Sequence, residues 1–162
     1  MFPSSGVAAQ FTLSLKEVDV ANSNVPVAVG TNLSSTNGLS SERTLKRSLI
    51  VEDNFIIATE NKRWLREIGF DAIVAVSNIP QALSELNAQS FDFCLLDVNL
   101  RGALSKPVAA RLTELGIPYV FASGYGSEGS QMCDSFNAPY LTKPISFEQL
   151  RTAVHDLGFT LP

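Results

Sequence analysis

The run Phe93-Cys94-Leu95-Leu96 constrains this chain more than any other stretch, because it is continuously apolar and stops at a single acid, Asp97. A short run without polar alternation reads as a strand covered on both faces, the pattern of parallel sheets flanked by helices. In such open sheets, ligands bind at the carboxyl ends of the strands. The run therefore delivers one carboxylate to the edge where chemistry occurs, followed at once by Val98 and Asn99.

From Lys46 onward the chain supplies partners for that strand. Ser48 to Val51 is a short apolar strand ending in Glu52 and Asp53, and the helix after it carries Ile57, Trp64, Leu65 and Ile68 on one face. Gly69 follows as a C-cap. Asp71 to Val76 forms a second strand, and Ser77 or Asn78 with Pro80 starts a helix holding Ala82, Leu83 and Leu86. After Asp97 comes a loop, then a short helix opened by Ser105 and Pro107 that runs through Leu115 and ends at Gly116. Pro118 to Ala122 and Tyr140 to Thr142 are the fourth and fifth strands. Between them, Gly124 to Ala138 is weakly patterned and rich in Gly and Ser, which predicts a shortened or mobile fourth helix. Ser146 and Gln149 form a capping box for a last helix bearing Phe147, Leu150, Val154 and Leu157. Five strands alternating with helices predict an α/β fold, a flavodoxin-like doubly wound parallel sheet in the order 2-1-3-4-5.

Residues 1–46 differ in kind. Ser, Asn, Gly, Thr and Val dominate from Ala21 to Ser41, a linker composition. Ahead of it, Phe11, Leu13 and Leu15 alternate with Thr12 and Ser14 like a half-buried strand. A lone strand needs a partner: the edge of the main sheet, a second copy of the chain in a homodimer, or a domain outside this sequence. The expected division is a strand and linker or arm over 1–46 and a folded domain over 47–162. A net charge of −4 offers no broad basic surface for nucleic acid. Cys94 and Cys133 belong to no CxxC or Cys/His cluster, which argues for a reduced, cytoplasmic setting without zinc or disulfides. The absence of any apolar run near the roughly 20 residues of a membrane span, and of signal-peptide features at the amino terminus, predicts a soluble, unsecreted protein.

In the expected strand order the first strand lies beside the third, so Glu52 and Asp53 end next to Asp97. Three carboxylates at one edge repel one another unless a cation sits among them. Magnesium, bound through carboxylate oxygens, suits that arrangement. The fourth strand ends in Ser123 and the fifth in Lys143. A hydroxyl and an ammonium at that edge can bond two oxygens of a phosphoryl group on Asp97 while the metal takes a third.

On these residues the chain from about Arg47 to Leu157 resembles the receiver domain of two-component response regulators. The resemblance implies Glu52 and Asp53 as the metal-binding acidic pair, Asp97 as the phospho-acceptor, Ser123 as the hydroxyl switch and Lys143 before Pro144 as the characteristic lysine. It further implies Tyr140 as the aromatic switch and Asn99 as the position whose backbone carbonyl ligates Mg2+. The donor would be a histidine kinase or a histidine phosphotransfer protein, and signalling would pass by protein contact rather than by catalysis of a metabolic reaction. Phe121-Ala-Ser-Gly-Tyr125 is similar to the Phe-Ala-Thr-Gly-Tyr signature of an atypical receiver subgroup. Gly6 with Phe11-Thr-Leu-Ser-Leu15 is similar to the final strand of a histidine-kinase ATP-binding domain, which would make this the carboxyl-terminal receiver of a hybrid kinase. Two alternatives compete. A haloacid dehalogenase-type phosphohydrolase needs a second acid two residues after its nucleophile, where this chain has Asn99. A flavodoxin-like binding module needs a Gly-rich phosphate loop, where this chain has Glu52-Asp53-Asn54.

Overall fold

A computed structural model describes residues 46–124 and 127–162. The amino-terminal strand, the linker and the proposed kinase-like segment lie outside the described residues. The main sheet has five parallel strands: β1 (Arg47–Val51), β2 (Ala72–Val76), β3 (Phe93–Asp97), β6 (Tyr119–Ser123) and β7 (Tyr140–Thr142). Their order is β2-β1-β3-β6-β7, the expected 2-1-3-4-5 arrangement of a flavodoxin-like fold. Two very short strands, β4 (Asn99–Leu100) and β5 (Ala103–Leu104), form a separate antiparallel hairpin where a loop was expected.

The helices are α1 (Phe55–Ile68), α2 (Ile79–Ala88), α3 (Lys106–Glu114), α4 (Ser127–Phe136) and α5 (Phe147–Asp156). Their ends follow local chemistry. Asn54 caps α1 by accepting from the backbone N–H of Ile56 and Ile57, and Gly69 closes it in the left-handed region at φ 118°. Asn78, rather than Ser77, caps α2. Both halves of the Ser146–Gln149 capping box are formed. Ser105 precedes α3 but makes no cap bond; its hydroxyl donates to the Val98 carbonyl. The fourth helix has ten residues, short in absolute terms but equal to α2 and α5.

Alternation along the strands sorts the core into two layers. Leu49, Val51, Cys94, Leu96 and Phe121 face α2, α3 and α4, while Ile50, Phe93, Leu95, Val120 and Ala122 face α1 and α5. Every residue of β3 is buried, as its uninterrupted apolar run requires. Below the sheet, Phe70, Phe93 and Phe159 form an aromatic cluster with ring centroids 5.5 to 6.1 Å apart. The buried face of α1 is centred on Ala58, Asn61, Leu65 and Ile68; Ile57 and Trp64 sit at its margin. No helix among the described residues is long and apolar enough to cross a membrane.

Candidate functional site

Register brings the polar strand ends together. Val51 pairs with Leu96, so Glu52 and Asp97 emerge at the same level of adjacent strands. Asp97 pairs with Ala122, and Ser123 with Thr142, so Ser123 and Lys143 complete the same edge. The Lys143 N–H donates to the Ser123 carbonyl at 2.7 Å, extending the β6–β7 ladder to the lysine itself.

Lys143 is the link between the strands. Its Nζ donates to Glu52 Oε2 and to Asp97 Oδ2, each at 2.6 Å. Glu52 and Asp97 are buried, and Glu52 Oε1 also accepts the Asn54 N–H at 3.1 Å. Burial pushes the Glu52 carboxyl above its ordinary value, more than the bonds from Lys143 and Asn54 lower it, and the neighbouring Asp97 charge adds to the rise. For Lys143, burial pulls downward, but the hydrogen bonds and charges of Asp97 and Glu52 outweigh it and hold the ammonium above the usual lysine range. Asp53, half-buried, lies 3.8 Å from the Arg101 guanidinium. Ligand oxygens of Glu52, Asp53 and Asp97 all lie within 4.8 Å of one another. This set of oxygens alone fits a hard divalent cation such as magnesium.

The remaining expected residues are placed less uniformly. Asn99 is exposed; its N–H donates to Asp97 Oδ1 at 3.1 Å, and its side-chain oxygen accepts the Gly102 N–H at 2.7 Å. That oxygen is thus occupied in closing the hairpin turn. Ser123 is buried at the site edge, with its hydroxyl turned to the Gly124 carbonyl at 3.0 Å. Tyr140 is 51% exposed and lines a groove with Leu141, Gln149 and Ala153 between β7 and α5.

Sequence reasoning did not identify Arg101 as part of the pocket. The available signal is Arg101-Gly102 between Leu100 and Ala103, a two-residue turn flanked by apolar residues. In the sequence Asn54 only interrupts a phosphate-loop pattern, whereas in the fold it serves as the α1 cap and its backbone N–H donates to Glu52.

Residues 48–155 match the family model of the response regulator receiver domain. The sensory transduction protein LytR of Staphylococcus haemolyticus (strain JCSC1435) is 27% identical over 112 residues, covering 67% of this chain. This chain spans 44% of that protein's length. SdrG from Sphingomonas melonis Fr1, a solution structure, is 35% identical with a TM-score of 0.61, over 70% of this chain and 96% of that one. The receiver domain of a sensor histidine kinase from Pseudomonas aeruginosa PAO1, with a magnesium ion coordinated in its active-site cleft, is 22% identical with a TM-score of 0.60. That likeness covers 68% of this chain and 94% of the other, and it is one of fold.

Proposed function

The chain belongs to the response regulator receiver domain family, the signalling modules of two-component systems, and from that premise we propose that it accepts a phosphoryl group on Asp97 from a phospho-histidine donor. The observation that carries this reading is Asp97 at the carboxyl end of β3, with Lys143 bonded to it at 2.6 Å and with Glu52 and Asp53 beside it. In the transfer, an Asp97 oxygen attacks phosphorus, the phosphorus–nitrogen bond breaks, and the imidazole of the donor leaves with the electron pair of that bond. Glu52, Asp53 and Asp97 would hold magnesium, with the Asn99 carbonyl as a further ligand. Such a cation supplies charge neutralisation at the phosphoryl oxygens. Magnesium in the cleft of the Pseudomonas receiver, which shares this fold, supports that assignment.

Lys143 exchanges part of its bonding to Glu52 and Asp97 for a phosphoryl oxygen. Ser123 turns its hydroxyl from the Gly124 carbonyl to another phosphoryl oxygen, and Tyr140 leaves its exposed position as the β6–β7 edge tightens. The changed surface is read by a protein partner. The donor is a histidine kinase or a histidine phosphotransfer protein, and the setting is cytoplasmic. The Phe121-Ala-Ser-Gly-Tyr125 signature favours membership of the atypical subgroup, and the Gly6 to Leu15 pattern favours a hybrid-kinase context with 1–46 as the connection to the receiver over 47–162.

Intact mass after incubation with acetyl phosphate and magnesium tests the central claim. Wild type is expected to gain one phosphoryl group and Asp97→Asn none. Equal labelling of the two proteins, or none on wild type, contradicts the assignment.

A further inference from the structure

Two cations, Lys143 and Arg101, divide the carboxylates between them. Lys143 is bonded to Glu52 and Asp97, whereas Asp53 has the Arg101 guanidinium, Nε to Oδ2 at 3.8 Å. We propose that Arg101 is a displaceable counter-cation, neutralising Asp53 in the metal-free pocket and competing with the divalent cation for that carboxylate. The inference rests on the reading of Asp53 as a metal ligand and adds a residue that tunes how tightly the metal is held.

The hairpin gives Arg101 a defined position. Asn99 pairs with Leu104 and Leu100 with Ala103, leaving Arg101-Gly102 as a two-residue turn. Both turn residues have positive φ, 54° and 85°, a conformation that favours Gly or Asn at the first position. An arginine stands there instead. Leu100, 4% exposed, anchors the hairpin in the core, and Ser105 ties its base to the Val98 carbonyl through both its N–H and its hydroxyl. The guanidinium is therefore carried on a fixed support beside the acids.

Exposure makes the contact exchangeable. The Arg101 side chain is 71% exposed, so it can leave Asp53 for water without stranding a buried charge. An exposed ion pair is also weak, enough to compete with a cation but not to exclude it. Lys143, with its side chain 20% exposed and two buried partners, is not free in that way. A cleft of about 620 Å³ opens beside the pair, lined by Glu52, Asp53, Arg101 and a second cation, Lys62. Lys62 lines the cleft without an ion pair to Asp53 among the described residues, so it separates a local competition from the general field of a positive charge.

Calorimetric titration of magnesium chloride into the full chain, without phosphodonor, tests this on wild type, Arg101→Gln, Lys62→Gln and Asp53→Asn. Arg101→Gln is expected to bind magnesium roughly two- to five-fold tighter than wild type, the range an exposed pair can contribute. Lys62→Gln should change affinity by much less, and Asp53→Asn should weaken it at least about ten-fold. If Arg101→Gln binds equally or more weakly, or if Lys62→Gln tightens binding as much, the competition is refuted while the loss in Asp53→Asn leaves the metal site standing. If Asp53→Asn binds magnesium as wild type does, Asp53 is not a ligand and both readings fall.

Discussion

With its ammonium 2.6 Å from both Glu52 and Asp97, Lys143 holds together two like charges that would otherwise repel across adjacent strands. Glu52 is still not at ease: burial raises its pKa beyond what Lys143 and the Asn54 N–H recover. The folded chain therefore binds a proton at Glu52 more readily than the unfolded chain does. The stability this group contributes is fully present below its ordinary value of 4.5 and is lost as pH rises through the raised folded value. Glu52→Gln, neutral throughout, is expected to melt above wild type in EDTA at neutral pH. The gap should close as pH falls toward the ordinary carboxylate range. Thermal melts across that pH range provide the check, and a variant less stable than wild type at neutral pH contradicts it. That Glu52, Asp97, Ser123 and Lys143 stand at strand ends was legible in the sequence, because Glu52, Asp97 and Ser123 each follow an apolar run directly and Lys143 closes the short Tyr140–Thr142 run. How the side chains bond was not, as Ser123 turned to its neighbour's carbonyl illustrates.

At the scale of elements, two helix ends were legible because their signals lie within four residues. Gly69 after α1 and the Ser146–Gln149 box of α5 are such cases. The β4–β5 hairpin was not seen, since two-residue strands are too short to show a period. Its hold on the site depends on Leu100, the one β4 residue that enters the core. Leu100→Ala is expected to lower unfolding stability by about 2–5 kcal/mol, measured by urea titration, through lost apolar contact and the cavity left behind. A loss below about 1 kcal/mol would show that the hairpin is not anchored there. On α1 the apolar period through Ile57, Trp64, Leu65 and Ile68 places Leu65 and Ile68 on the buried face, but the helix also turns Asn61 inward. A polar residue on a buried face is invisible to a pattern built from apolar positions.

At the scale of the molecule, the described residues hold both core layers, each closed by helices on its own side of the sheet. The domain over 47–162 is therefore expected to fold without residues 1–46. A chain beginning at Arg47 should unfold in one cooperative transition and accept a phosphoryl group on Asp97 as the longer chain does. Loss of cooperative unfolding would assign the amino-terminal segment a structural part in the domain. Light scattering of the two lengths would separate an arm that joins subunits, for which the longer chain alone has a doubled mass, from a linker, for which both are monomers.

The sequence by itself determined the α/β class, the strand order and the polar residues at the strand ends, because periodicity, caps and the residue after each apolar run are local properties of the chain. Tertiary structure decided the partners. Lys143 joins Glu52 to Asp97, 91 and 46 residues away in the chain, only because register sets the ends of β1, β3, β6 and β7 in line along one sheet edge. Arg101 meets Asp53 only because a turn of the hairpin points it across the sheet edge. Such pairings depend on side-chain direction and on which neighbour reaches a charge first, and no local pattern in the chain carries that information.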